Sequence, residues 1–198
     1  MTVWFTSDLH LGHAKAAEHR GYDNVLEHDH AIYSGWKEVV KPDDDVWVLG
    51  DLAASSPTYA LTVLGLLPGR KHLVLGNHDQ AHPMHRDAHK HLRKYLEVFS
   101  SVAQSARRRI DGEEVLLSHF PYHRDRGEVR HTQWRLRDEG RWLLHGHTHG
   151  SERVTLAPAM IGPYFMGHIT KEIHVGVDAW GFQPVSLDTI SALIKEHS

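Results

Sequence analysis

The chain has 198 residues, 40% of them hydrophobic and 24% charged, and a formal net charge of -3 at pH 7. This length and composition fit a globular protein with one sizeable core, and the small negative charge gives no reason to expect extended nucleic acid or a membrane as partner. Cysteine is absent while histidine occurs 20 times, so disulfides, thiolate metal sites and a cysteine nucleophile are excluded, and any metal must be held by His, Asp, Glu or Asn.

In the first half of the chain, short β-rich runs alternate with runs of helical periodicity. Strands are predicted over residues 3–6, 46–49 and 72–75, and helices over residues 25–40, 57–67 and 88–99. This rhythm favours parallel strands joined by crossover helices.

The second half reads differently. The runs "SVAQSARRRI" and "EEVLLSH", joined by Asp111-Gly112, predict a β-hairpin, and "RWLLHG" and "IHVGVDAW" predict further strands. A closing helix, "PVSLDTISALIKEH", is expected to be capped by Ser186. We expect a single α/β domain over residues 1–198, and we leave open whether residues 151–172 form a flap, a hairpin or a partner-contact surface.

The N-terminal sequence has no cationic leader or apolar signal core, and no apolar run is long enough to span a bilayer. We therefore expect a cytoplasmic protein without a membrane partner. The oligomeric state stays open, a homo-oligomer included.

Polar clusters follow five of the predicted strands. They contain Asp8 and His10, Asp51, Asn77 and His78, His119, and His147 and His149. Most of these clusters, taken alone, read as ordinary polar turns or histidines, although the alternate histidines of "GHTH" can both face one centre. Loops after strand carboxyl ends, however, gather along one edge of an open α/β sheet. Eight ligand-type side chains are too many for one metal ion and about right for two. Two cations ~3.5–4 Å apart need a bridging carboxylate, for which Asp51 is the candidate.

The clusters resemble, in residues and in order, the motifs of the calcineurin-like metallophosphoesterases. They read "DLH", "GD", "GNHD", a lone histidine and "GHTH". The resemblance implies a four-layer α/β/β/α sandwich, with two mixed β-sheets flanked by helices and a dinuclear metal site at the strand ends. It also implies two ligand sets sharing Asp51: Asp8, His10, Asp51 and His149 for one ion, and Asp51, Asn77, His119 and His147 for the other. Manganese is the first choice of metal, with iron, zinc, nickel or magnesium as alternatives.

Such a site would hydrolyse phosphate esters through attack by a hydroxide that bridges the two metals. His78, the one motif histidine left off the metals, is expected to stabilise the transition state and to protonate the leaving group. Asp79 either orients the His78 imidazole or caps the following turn, and we weigh these alternatives about equally.

The substrate is less well defined by the sequence. The Ser/Thr protein phosphatases of this family have an Arg-containing G-D-x-x-D-R-G motif, whereas this chain reads "GDLAASSP". We expect a phosphodiesterase for small nucleotide-type esters such as cyclic nucleotides, with a phosphomonoesterase as the alternative and a non-catalytic scaffold as a weaker one. Candidate substrate contacts are Arg124 and Arg126, against the alternative of a solvated, salt-bridged surface. His13 and His123 are further candidates, against the alternative that they belong to the chain's general surplus of histidine.

Overall fold

The computed structural model of the protein describes residues 1–54, 56–123, 125, 130–161 and 164–197. Its strands are β1 (Val3–Thr6), β2 (Asp45–Val48), β3 (Arg70–Val74), β4 (Ser101–Ala103), β5 (Ala106–Ile110), β6 (Glu113–Leu117), β7 (Trp142–His145), β8 (Val154–Ile161), β9 (Tyr164–His174) and β10 (Val185–Ser186). Its α-helices are α1 (Ala14–His19), α2 (Val25–Val39), α3 (Thr58–Leu66), α4 (Ala88–Leu96) and α5 (Leu187–Glu196). Short 3-10 helices span Thr132–Trp134 and Val177–Ala179.

The strands form two mixed five-stranded sheets. The first has the order β10-β1-β2-β3-β4, with β1 to β4 parallel and β10 antiparallel at one edge. The second has the order β5-β6-β7-β9-β8, with a parallel centre and antiparallel edge strands. Just beyond β1 and β9, Ser7 and Gly176 form an isolated parallel bridge. This bridge brings the carboxyl ends of the central strands of both sheets to one place.

Two apolar clusters hold the layers together. One packs α2, α3 and α4 on the first sheet, with Trp36, Leu64 and Tyr95 almost fully buried. The other fills the space between the sheets and also takes in Ile190 of α5. Two of the helices begin at side-chain caps: Asn24 accepts a hydrogen bond from the Leu26 amide at the start of α2, and Ser186 accepts one from the Thr189 amide at the start of α5, as predicted.

The predicted fold class, two mixed sheets flanked by helices, is confirmed. The parallel arrangement of the first-half strands is confirmed as well, and β1 has the predicted bounds. The predicted hairpin was wrong in its first strand. Residues 101–103 instead pair with β3 in the first sheet, and only residues 106–110 pair with β6. The chain crosses between sheets inside one continuous β-rich run, and β-propensity does not show such a crossing.

The structure also shows the conformation of two further segments, the described part of residues 151–172 and the run "IHVGVDAW". Of the three alternatives for residues 151–172, the structure shows a hairpin, β8 and β9, in the described part of the segment. The predicted strand "IHVGVDAW" ends at His174, and Val177–Ala179 forms a 3-10 helix instead. In the described part of the chain, none of the helices is both long and apolar enough to cross a bilayer.

Candidate metal centre

The predicted ligands gather at one edge of the two sheets. Asp8 and His10 follow β1, Asp51 follows β2, Asn77 follows β3, His119 follows β6, and His147 and His149 follow β7. Asp8 and His119 are fully buried, and Asp51 is 2% exposed. Carboxylates shielded from water in this way need a counter-charge close by.

The backbone at this edge is strained. Five of the seven predicted ligands have a positive φ: Asp8 (58°), His10 (47°), Asp51 (57°), His147 (71°) and His149 (50°). This left-handed conformation costs non-glycine residues roughly 1–3 kcal/mol each and persists only where the surroundings impose it. The loops are tied together by hydrogen bonds from the Asp8 amide to the Gly50 carbonyl and from the His10 amide to the Asp51 carbonyl, both 3.0 Å. The strain therefore aims side chains of neighbouring loops at a common point.

One oxygen of Asp51 lies between two groups of ligand atoms. Its Oδ2 is 3.7 Å from His10 Nε2 and 3.4 Å from His119 Nε2. In the described residues, the side chains able to hold a metal fall into two groups, each with ligand atoms within 4.8 Å of one another: Asp8, His10 and His149, and Asp8, Asp51 and His119. Asp8 is thus common to both groups, and Asp51, a member of the second group, also lies 3.7 Å from His10 of the first.

The second group extends to Asn77 and His147. His119 Nε2 lies 3.1 Å from Asn77 Oδ1 and 3.2 Å from His147 Nδ1. The other nitrogen of His119 lies 2.8 Å from the Leu49 carbonyl oxygen, to which only an N–H can donate. The atoms that converge here are oxygens and imidazole nitrogens, a donor set that suits a divalent cation such as Mn²⁺, Fe²⁺ or Zn²⁺.

Hydrogen bonds fix the orientation of the Asp8 carboxylate. Its Oδ2 accepts hydrogen bonds from the Ser7 hydroxyl at 2.6 Å and from the His147 amide at 2.9 Å. The buried imidazole of His174 places Nε2 4.0 Å from the same oxygen. Its carboxylate therefore has little freedom to turn. Its Oδ1 accepts from the His147 amide as well, at 3.0 Å, and lies 3.8 Å from His149 Nε2.

The histidines of this cluster differ in protonation state. Burial lowers the pKa of His10 to about 3 and that of His147 to about 4, so both imidazoles are neutral at pH 7 and offer a lone pair. Burial acts the same way on His119, but the nearby carboxylates of Asp51 and Asp8 outweigh it and raise its pKa to about 9. A proton on His119 is therefore expected to hold this position until a metal ion replaces it.

This proton gives a measurable prediction. At pH 7.5, loading metal-stripped protein with Mn²⁺ should release about one proton per chain from His119, because an imidazole must be deprotonated to bind a metal. Calorimetric titrations in buffers of equal pH and different ionisation enthalpy measure the released proton. A binding heat that does not depend on the buffer would contradict the prediction.

His78 lies beside the ligands and opens to solvent. Its backbone amide donates to Asp51 Oδ1 at 2.9 Å, while its Nε2 is 4.0 Å from Asp51 Oδ2 and its side chain is 45% exposed. The ring is therefore close to the centre and within reach of a bound molecule. Its catalytic role stays a prediction.

Asp79 is buried behind the same loop. Its carboxylate accepts hydrogen bonds from the amides of Gly76 at 2.8 Å, Asp51 at 3.0 Å and Leu52 at 3.2 Å. Among the described residues, no hydrogen bond joins it to the His78 imidazole. These contacts favour the alternative in which Asp79 organises the turn, and they also tie the loops after β2 and β3 together.

A cleft of about 710 Å³ opens over the cluster. Basic side chains on its walls include His13, Lys15, His19, Arg130 and His131. His13 is thus placed where a substrate contact was predicted, whereas His123 is not among the residues lining the cleft, and its Nε2 lies 3.2 Å from Asp138. Arg124 and Arg126 fall outside the described residues.

Several residues at this centre were not predicted from the sequence. Asp178 and Asp125 contact His149 and His147, Arg20 and Arg135 contact those two aspartates, and Lys15 lines the cleft. A single Asp or Arg outside a recognisable motif gives no sequence signal of its own. Of these residues, Asp178 falls in a segment that the sequence drew attention to, the end of "VGVD".

The chain has relatives of similar length. It is 47% identical over 205 residues to the Gene 66 protein of Mycobacterium phage L5, covering 98% of this chain and 94% of that protein. An uncharacterised protein of Methanocaldococcus jannaschii is 28% identical over 199 residues, covering 98% and 92% of the two chains. A solved protein of unknown function from Aquifex aeolicus shares the fold, with a TM-score of 0.69 at 23% identity over 97% of this chain and 98% of that one.

The sequence also matches a protein family directly. The calcineurin-like phosphoesterase superfamily domain aligns with residues 1–156, a span that contains all seven predicted ligands. This match agrees with the two mixed sheets and with the Asp and His clusters at their edge. The chain therefore belongs to the calcineurin-like phosphoesterase superfamily.

Proposed function

We propose that the protein is a dinuclear metal-dependent phosphoesterase and, within that class, a phosphodiesterase for small nucleotide-type substrates such as cyclic nucleotides. The observation that carries the proposal is the position of Asp51 Oδ2, 3.7 Å from His10 Nε2 and 3.4 Å from His119 Nε2. One carboxylate oxygen within reach of both ligand groups is what a pair of closely spaced cations requires.

The chain's residues divide between the two ions as follows. One ion would be held by Asp8, His10, Asp51 and His149, and the other by Asp51, Asn77, His119 and His147. When bound, the ions would neutralise charge on the phosphoryl group and supply a water of lowered pKa as nucleophile. We take manganese as the first candidate because the ligands combine hard oxygens with imidazole nitrogens.

The role of His78 follows from its place at the rim of this set. Asp51 Oδ1 fixes the His78 backbone through a 2.9 Å hydrogen bond, while the imidazole extends into the cleft. An imidazole there can hydrogen-bond to a phosphoryl oxygen and pass its proton to the departing alcohol. No covalent intermediate is needed, which agrees with the absence of cysteine.

The cleft supports a small substrate. Its volume of about 710 Å³ lies within the range of small-ligand sites, and Lys15 on its wall has no hydrogen bond or ion pair within the described part of the chain. An unpaired ammonium beside the centre would attract the negative charge of a phosphate ester.

Lys15 can be tested separately from the metal ligands. The substitution Lys15→Met should raise the KM for a nucleotide-type ester about fivefold, equivalent to ~1 kcal/mol, because it removes one solvent-screened charge interaction. The turnover number should change little, since Lys15 lies outside the predicted ligand set. Lys41→Met, on an exposed loop, is the matched control, and steady-state kinetics provide both constants. Equal kinetics for the two variants would remove Lys15 from the substrate site.

The phosphomonoesterase remains the alternative, and one observation favours it. The basic residues lining the cleft, Lys15 and Arg130 among them, would also suit the second negative charge of a monoester. Metal-stripped and Mn²⁺-supplemented protein should be compared on bis-p-nitrophenyl phosphate, p-nitrophenyl phosphate and 2′,3′- and 3′,5′-cyclic nucleotides. The proposal expects metal-dependent hydrolysis with higher kcat/KM for the diesters. A higher value for the monoester would favour the alternative, and no hydrolysis of any ester would contradict the proposed activity.

A further inference from the structure

Two arginine–aspartate pairs flank the metal centre, one behind each histidine of the "GHTH" motif. Behind His149, Asp178 Oδ2 lies 3.1 Å from Nδ1. Behind His147, Asp125 Oδ1 lies 2.9 Å from Nε2. The two contacts use opposite ring nitrogens, although the histidines are only two residues apart in the chain.

The choice of nitrogen determines which lone pair faces the metal. A neutral imidazole has one N–H and one lone pair, and a carboxylate accepts only from the N–H. His149 Nδ1 lies 3.1 Å from Asp178 Oδ2 and 3.3 Å from Arg20 Nη2, and we assign its N–H to the closer carboxylate. This assignment leaves His149 Nε2 free, 3.2 Å from His10 Nε2 in the first ligand group. Asp125 leaves His147 Nδ1 free, and this atom lies 3.2 Å from His119 Nε2 in the second ligand group.

Each aspartate is in turn held by a buried arginine. Arg20 forms two hydrogen bonds to Asp178, from Nε at 2.9 Å and from Nη2 at 2.8 Å, and its Nη2 also donates to the Asp8 carbonyl at 2.7 Å. Arg135 Nη2 contacts Asp125 Oδ1 at 2.5 Å, and its Nη1 donates to the Pro121 carbonyl at 2.7 Å. Both arginine side chains are 5% exposed. A guanidinium anchored to the backbone in this way restricts the carboxylate to one orientation.

We propose that Arg20–Asp178 and Arg135–Asp125 are positioning pairs, each of which sets the tautomer of one motif histidine and so controls one of the two metal positions. The inference rests on the proposed dinuclear centre and deepens it, because it assigns separate control of the two ions to two different loops. Partners that orient ligating histidines typically contribute about 10- to 100-fold to metal affinity.

The chain contains a matched control away from the centre. Asp45 pairs with Arg70 at 2.6 Å and lies 3.5 Å from His72 Nε2, so it has the same three residue types. It begins β2, whereas Asp51 follows the other end of that strand. Asp45→Asn therefore removes the same chemistry without approaching the metal centre.

The experiment is a calorimetric Mn²⁺ titration of metal-stripped protein, carried out in backgrounds that retain one metal position. In His10→Ala, which keeps the second ligand set, Asp125→Asn should weaken Mn²⁺ binding about 10- to 100-fold, and Asp178→Asn should change it less than twofold. In Asn77→Ala, which keeps the first ligand set, Asp178→Asn should weaken Mn²⁺ binding about 10- to 100-fold, and Asp125→Asn should change it less than twofold. Asp45→Asn should have no effect in either background.

Thermal melts of the metal-free variants separate positioning from folding. Arg20→Lys and Arg135→Lys, which keep the charge but lose the fork, should show the same site preference if an Asn variant does not fold. Restored affinity in Asp125→Glu or Asp178→Glu would support the inference. Equal effects on both metal positions, or effects no larger than that of Asp45→Asn, would overturn it. Wild-type protein that binds no Mn²⁺ would overturn the dinuclear centre itself.

Discussion

Asp51→Ala is expected to remove both metal ions and to lower turnover by roughly 10³-fold or more. Its Oδ2 lies 3.7 Å from His10 Nε2 and 3.4 Å from His119 Nε2, one from each ligand group, and its Oδ1 accepts the His78 amide hydrogen bond. Losing it should disturb both metal positions and the placement of His78 together. Metal-ion catalysis supplies several kcal/mol of transition-state stabilisation, and each 1.36 kcal/mol corresponds to about a tenfold change in rate.

Metal content by elemental analysis and turnover on the same preparation test this expectation. Asp51→Asn separates charge from shape, because the amide keeps an acceptor oxygen but lacks the negative charge needed between two cations. It should also lose at least one ion. Asp45→Ala is the control, because it removes a buried carboxylate at the start of β2, at the opposite end of the strand from Asp51. Two retained ions in Asp51→Ala would contradict the assignment of Asp51 as the bridge.

His78→Ala is expected to retain both metal ions and to lose most of the turnover, by a factor of about 10² to 10⁴, the usual contribution of a positioned general acid. The imidazole is 45% exposed and its Nε2 is 4.0 Å from the nearest Asp51 oxygen, so its removal leaves the predicted ligand set intact. The loss should be larger for esters with alcohol leaving groups, which need a proton, than for p-nitrophenyl esters, whose leaving group is stable as an anion.

Two comparisons make this test specific. His30→Ala, on the exposed face of α2, is the control for histidine loss and should keep both activity and metal. Elemental analysis of His78→Ala should give the same metal content as the wild type. Full activity on an ester with an alcohol leaving group would exclude His78 from proton transfer.

Much of the fold could be predicted because the first sheet is built from regular β–α repeats. The runs that became β1, β2 and β3 are short, apolar and followed by helical periodicity, and the structure confirms their parallel order. The crossing between sheets after Ala103 could not be predicted, because β4 and β5 belong to one uninterrupted β-rich stretch. Which sheet a strand joins is decided by long-range packing, which single-residue propensities do not contain.

The candidate site likewise has features that the sequence could predict and features that it could not. The gathering of the candidate ligands at one edge could be predicted because each follows a strand end, and parallel strands bring those ends together. The residues behind them could not be predicted, because Arg20 and Asp178 are far apart in the sequence and meet only in the folded chain, beside the bridge between Ser7 and Gly176. Asp79 shows that adjacency in the sequence does not identify a contact. It follows His78 directly, but its carboxylate accepts hydrogen bonds from backbone amides and not from the His78 imidazole.

The central claim is that two metal ions held around Asp51 make this chain a phosphoesterase. The most direct measurement is the rate of bis-p-nitrophenyl phosphate hydrolysis by metal-stripped protein as Mn²⁺ is added in known equivalents per chain. We expect no activity without metal and a rate that levels off at two equivalents. Hydrolysis by the metal-free protein, full activity at one equivalent, or no hydrolysis at any Mn²⁺ concentration would contradict it.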